Sequence, residues 1–126
     1  MMKKKIFWSI SEEEKKEQQG FLKIDNRVIA SIAGLAALEV KGVAKLGKSF
    51  SSYIKTIFSK KIYHRGVLVE FKENELIITL YVIAKYGVNF SELTNEIQNN
   101  VRLALEKMTE ITPTEVNVII QKVEKI

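Results

Sequence analysis

Apolar residues recur along this chain with two periods, and the switches between those periods mark its elements. Phe21-Leu-Lys-Ile24 reads as a short strand, ended by Asp25 and Asn26, either of which can cap a following helix. Val28, Ile29, Ile32, Ala33, Ala36 and Val40 fall at helical spacing, so residues 27–40 are predicted as an amphipathic helix that stops near Gly42. Residues 67–71 and 76–84 then predict two strands across a Glu73-Asn74 turn, a β-hairpin. The second of these strands is apolar on both faces except at Thr79, with Tyr81 its only other polar handle, which suits a central strand covered on at least part of both sides. Asn89 precedes Glu92 by three residues, the spacing of a capping box. It opens the longest helical pattern in the chain, with Phe90, Leu93, Ile97, Val101, Ala104, Leu105 and Met108 on one stripe. That helix is expected to end near Thr109; Pro113 breaks any continuation, and residues 115–120 alternate as a last strand.

The resulting order, β-α-(basic connection)-β-β-α-β, predicts an α+β two-layer sandwich with two helices packed on one mixed sheet. At 126 residues and 46% hydrophobic composition the chain can bury one core, which is expected to occupy residues 20–126 after a charged N-terminal tail at 1–19. The first ten residues imitate the charged and apolar regions of a signal peptide. Glu12, Glu13 and Glu14 follow almost at once without a small-residue cleavage site, and no run approaches the roughly 20 apolar residues that span a bilayer. A cytoplasmic protein is the expectation. The chain has no Cys and a single His, His64, which removes thiolate metal sites, thiol nucleophiles, His clusters and Ser/His/Asp triads. No catalytic residue, metal or cofactor is therefore assigned.

Charge is unevenly spread. Residues 41–65 carry seven Lys/Arg and no carboxylate, whereas the remainder is slightly acidic, so the net charge of +5 comes entirely from this connection. It contains Gly42-Val-Ala-Lys-Leu-Gly47-Lys48-Ser49, a literal match to the phosphate-loop pattern G-x-x-x-x-G-K-[ST]. A working phosphate loop lies between a buried strand and a helix. Here the preceding residues have helical periodicity, and the best candidate for a metal-holding strand, residues 76–84, ends in Lys85 instead of Asp. Beyond Ser49, Phe50, Tyr53, Ile54, Ile57 and Phe58 follow helical spacing, with Lys55 off the stripe and Lys60, Lys61 and Arg65 after it. Together with Lys48 these residues outline a basic amphipathic contact surface. Its apolar arc packs either on the domain itself, on a second copy, or on an anionic membrane surface.

The segments Gly20-Phe-Leu-Lys-Ile, Val28-Ile-Ala-Ser-Ile-Ala33 and Glu39-Val-Lys-Gly-Val43 resemble the first half of the alkaline shock protein family. Arg65-Gly-Val67, the strand ending Lys85-Tyr-Gly87, Ile97-Gln98-Asn-Asn-Val101 and Val116-Asn-Val118 resemble its second half, so the likeness covers about residues 20–123. The resemblance implies a small cytosolic bacterial protein linked to alkaline and cell-envelope stress. In some members it implies attachment to the inner face of the membrane through a partner protein, in others a connection with fatty-acid metabolism. It brings no catalytic residues.

The expected function is thus a non-catalytic interaction or scaffold protein in envelope or alkaline-stress homeostasis, working through protein partners, self-association or the membrane surface. An RNA-binding module using the basic, aromatic connection is the alternative, although the G-x-x-G loop between two helices is missing and neither hairpin strand reads as an aromatic RNA-binding strand. An NTP-binding protein using Lys48 and Ser49 is the third reading. Saturating Mg-ATP or Mg-GTP is expected to leave the melting temperature unchanged; a rise of several degrees would restore the nucleotide reading.

Overall fold

The computed structural model describes residues 20–48 and 60–125. Within them the chain forms α1 (Asn26–Leu38), β1 (Val43–Leu46), β2 (Lys60–His64), β3 (Val67–Lys72), β4 (Glu75–Lys85), α2 (Phe90–Thr109) and β5 (Glu115–Glu124). The eleven-residue β4 organises the sheet. Its residues from Glu75 to Leu80 pair antiparallel with β3, and Val82, Ile83 and Ala84 pair antiparallel with β1. β5 runs parallel along β4 from Ile77 opposite Glu115 to Lys85 opposite Glu124, so β3 and β1 lie end to end along the other edge. β2 completes the sheet outside β3. This is the expected α+β class, with two helices packed on one mixed sheet.

Local chemistry explains each corner. In the β3–β4 turn Glu73 and Asn74 have φ 49° and 67°, and in the β2–β3 turn Arg65 and Gly66 have φ 48° and 86°. Two-residue turns with both central φ values positive have the twist that antiparallel strands need, so the two hairpins follow one another without splaying. Asp25 caps α1 by accepting the Arg27 N–H at 2.8 Å. The Arg27 guanidinium also bonds this carboxylate at 3.2 and 3.3 Å, and that side-chain hydrogen bond holds the Asp25 carboxyl below its ordinary range. Asn89 caps α2 by accepting the Glu92 N–H at 3.1 Å. Glu110, at φ 63°, closes the helix in the left-handed region. Beside it the buried Thr109 hydroxyl donates to the Leu105 carbonyl at 2.6 Å and accepts the Ile111 N–H at 3.1 Å.

One face of β4, made by Leu76, Ile78, Leu80, Val82 and Ala84, lies buried under the helices. α1 covers it with Ile29, Ala33, Ala36 and Ala37, and α2 with Leu93, Ile97, Val101 and Leu105. Small residues bring α1 close: a Cβ on Gly34 would come within 3.1 Å of Leu46 and 3.3 Å of Val67. Polar ties fix the layers. Asn100 donates to the Ala36 carbonyl at 2.6 Å, joining the helices, and Gln98 donates to the Val116 carbonyl at 2.9 Å, joining α2 to β5.

Differences from the periodic reading fall at the ends of the pattern. Residues 21–24 form no regular strand; Leu22 makes a single bridge, Ile24 packs on the core, and Phe21 is exposed. A four-residue run with so little to bury does not support a ladder of its own. The extra strands come instead from the two ends of the basic connection, β1 and β2. Val28, Phe90 and Met108 fit the helical stripes but are 47%, 47% and 65% exposed, because the buried face of each helix runs through Ile29 in α1 and through Leu93, Leu105 and Thr109 in α2 instead. Residues 1–19, expected as a tail, lie outside the described residues. In chemical denaturation Ile78→Ala is expected to cost about 3 kcal/mol and Asn89→Ala about 1 kcal/mol, whereas Met108→Ala stays within about 0.5 kcal/mol of the unsubstituted protein.

Candidate functional site at the basic connection

The connection begins at Gly42, which is seated tightly beneath α2: a Cβ there would stand 2.7 Å from Leu93 Cδ1 and 3.2 Å from Val88. The next four residues of the phosphate-loop spelling are β1, extended and paired with β4. Their N–H groups are therefore not gathered around a common point as phosphate binding demands. Gly47 is also explained by packing, because its N–H donates to the Tyr81 carbonyl at 2.6 Å and a Cβ would overlap the Gln121 side-chain oxygen. Ser49 lies outside the described residues.

Gln121 makes the most specific contact of this region. Its Oε1 accepts the Lys48 N–H at 3.1 Å, while its Nε2 donates to the Lys48 carbonyl. A side-chain amide thus takes the place of a neighbouring strand's peptide group. Since β1 and β5 flank β4 from opposite edges, Gln121 crosses β4 to reach Lys48. No local pattern announces this contact between residues 73 apart in sequence.

The same corner gathers two of the expected contact residues. The Arg65-Gly66 turn packs against Gly47, where a Cβ on Gly66 would lie 2.7 Å from the Gly47 carbonyl oxygen. Exposed Lys48 and exposed Arg65 are thereby brought to one end of the β2–β3 hairpin. Lys60 and Lys61 are strand residues opposite Phe71 and Glu70, at the hairpin's other end. Along the backbone, the length of β2 separates these two positions from Arg65. Phe50, Tyr53, Ile54, Lys55, Ile57 and Phe58 lie outside the described residues.

Below this corner is the sheet face turned away from the helices. Leu68, Ile77 and Tyr81 are half-buried on it, Ile83 is nearly covered, and Ile119 on β5 is 43% exposed. Thr79 and Glu70 interrupt the apolar row. Lys45 Nζ pairs with Glu124 Oε2 at 3.3 Å, with both side chains exposed enough that the pair adds little stability. Among the described residues no group of three His, Asp or Glu is placed to hold a metal ion, and no helix is long and apolar enough to cross a membrane.

Comparison with known proteins decides the lineage. Residues 14–125 match the sequence pattern of the alkaline shock protein 23 family, described as having a cell envelope-related function. The chain belongs to this family. Its similarity to the Bacillus subtilis protein YqhY is 32% identity over 99 residues, covering 79% of this chain and 73% of that protein. The Streptococcus pyogenes protein Spy1614 is 31% identical over 86% of this chain and 92% of its own length. A stress response regulator gls24 homolog of Streptococcus pyogenes is 28% identical over 79% of this chain and 56% of that protein. No solved structure matches. As a member of the alkaline shock protein 23 family, the chain is placed among cell envelope-related and stress proteins.

The Gln121 clamp has a direct test. Gln121→Ala and Gly47→Ala are each expected to cost about 1 kcal/mol, the second by displacing the same amide. The double variant should cost clearly less than their sum. Hydrogen exchange at the Lys48 amide accelerates in both single variants and stays unchanged at Ile78; additive losses would show that the two positions act independently.

Proposed function

We propose that this alkaline shock protein 23 family member is a non-catalytic interaction protein of envelope or alkaline-stress homeostasis, working in the cytoplasm at the inner face of the membrane through protein partners. The observation that carries this reading is the sheet face opposite the helices. A five-stranded sheet with a fully packed helical layer behind it holds Leu68, Ile77, Tyr81, Ile83 and Ile119 in fixed register on its other side. Ile119 keeps 43% of its surface exposed. Flanking this face, the Gln121 clamp sets where the basic connection leaves the sheet. A rigid, partly apolar face bordered by cations is suited to recognising a partner that supplies apolar side chains and carboxylates. The family's cell envelope-related description and the stress-regulator name of the Streptococcus pyogenes relative support the physiological setting.

Site-specific photocrosslinking in alkali-stressed cells tests it. A photoreactive residue at Ile119 or Leu68 is expected to give a discrete adduct with one and the same protein, and one at the exposed Leu103 on α2 is not. An adduct containing two copies of this chain makes the partner the chain itself. Identical adduct patterns from all three positions, or none at Ile119 and Leu68, remove the reading.

A further inference from the structure

The end of the domain where β4 and β5 finish gathers cations from three separate segments, the start of the basic connection and the ends of β4 and β5. The Lys85 N–H donates to the Gly42 carbonyl at 2.9 Å, which sets exposed Lys41 beside the end of β4. Lys45 on β1 and Lys122 on β5 stand opposite Ile83 from its two sides. The Tyr86 N–H donates to the Glu124 carbonyl at 2.9 Å, and Lys125 Nζ lies 5.7 Å from the centre of the Tyr86 ring. Five lysines therefore share this end with the carboxylates Glu39, Glu92 and Glu124. Glu124 is engaged by Lys45, and Glu39 by Asn100.

Large apolar side chains are exposed at the same end. Tyr86, in the β4–α2 loop, is 70% exposed; Phe90, at the start of α2, is 47% exposed; and Val123 on β5 is 41% exposed. None of them contributes to the core. Lysines around exposed aromatic and aliphatic groups fit the boundary between lipid headgroups and acyl chains, where ammonium groups meet anionic headgroups and rings enter the less polar layer. A nucleic-acid surface would use the lysines and the rings but has no use for Val123, and an excess of only two positive charges is small for a ligand recognised through its phosphates alone.

We infer that this end of the domain is a docking surface for an anionic lipid bilayer, with Lys41, Lys85, Lys122 and Lys125 on the headgroups and Tyr86, Phe90 and Val123 at the acyl boundary. The inference rests on the envelope-side reading above and supplies its membrane contact. It places the partner face of the sheet alongside the membrane, with neither surface using the other's residues.

Co-sedimentation of the full chain with phosphatidylglycerol-containing vesicles, beside vesicles of phosphatidylcholine alone, tests the docking. The protein is expected to bind the anionic vesicles and to be released as salt rises. The Lys41→Gln, Lys122→Gln, Lys125→Gln triple variant should bind roughly a hundredfold more weakly, at about fivefold per neutralised lysine, with an unchanged melting curve. Tyr86→Ser with Phe90→Ser should bind severalfold more weakly, and Lys72→Gln with Lys107→Gln should bind as the unsubstituted protein does. Equal recovery on both vesicle types, undiminished binding of the triple variant, or no binding to anionic vesicles overturns the proposal. Tighter, lysine-dependent binding to single-stranded RNA than to anionic vesicles also overturns it, by assigning this end to nucleic acid. The Ile119 photocrosslink reads the partner face separately, so a failed vesicle result leaves that face standing and the reverse.

Discussion

Tyr81 is the point at which two strands must share one edge of β4, and the fold depends on that junction. Its N–H donates to the Gly66 carbonyl at 2.9 Å, and its carbonyl accepts the Gly47 N–H at 2.6 Å. The end of β1 and the turn leading into β3 therefore meet across a single residue of the central strand. Two glycines make this possible, since a Cβ on Gly66 would collide with Gly47 and Leu46. With the junction closed, β4 is paired along both edges, and its inward residues present an unbroken apolar row to both helices. A backbone group left unpaired at so central a position would cost as much as a lost hydrogen bond, so the contact is a requirement of the sheet.

That arrangement also settles how the basic connection reaches the surface. Its first part is drawn into the sheet as β1 and its last part as β2, leaving Lys48 and Arg65 at one corner and Lys60 and Lys61 at another. A stretch that looks uniformly basic in one dimension is thus threaded into the sheet at both of its ends. The glycines that spell a phosphate loop serve close packing under α2 and beside Gln121. The reverse of the sheet and the lysine-rich end beyond it are the two surfaces on which the proposed contacts are placed.

Elements with long, unambiguous periods were legible in the sequence. α2 begins and ends where Asn89 and Thr109 indicated, because the cap chemistry and a five-turn stripe reinforce one another. The Glu73-Asn74 hairpin was legible for a similar reason, since Asn74 tolerates positive φ and the pair stands between two apolar runs. Val43-Ala-Lys-Leu46 was not, because four residues alternate by chance as readily as by design, and their strand character comes from pairing with Ala84, Ile83 and Val82. The Gln121 clamp was hidden for a stronger reason: its two partners are 73 residues apart, and a glutamine in an alternating strand carries no mark of what it will bond.

By itself the sequence determined the α+β class, the two helices and the central hairpin, because these rest on periodicity and local capping, and it carried the kinship with the alkaline shock proteins in the likeness of its segments. Tertiary structure alone decided which strands fill the second edge of β4, how the two ends of residues 41–65 are drawn into the sheet, and how Lys85, Lys122 and Lys125 join Lys41 and Lys45 at one end. Those outcomes follow from register and from the meeting of distant backbones, and neither quantity is encoded in any short stretch of the chain.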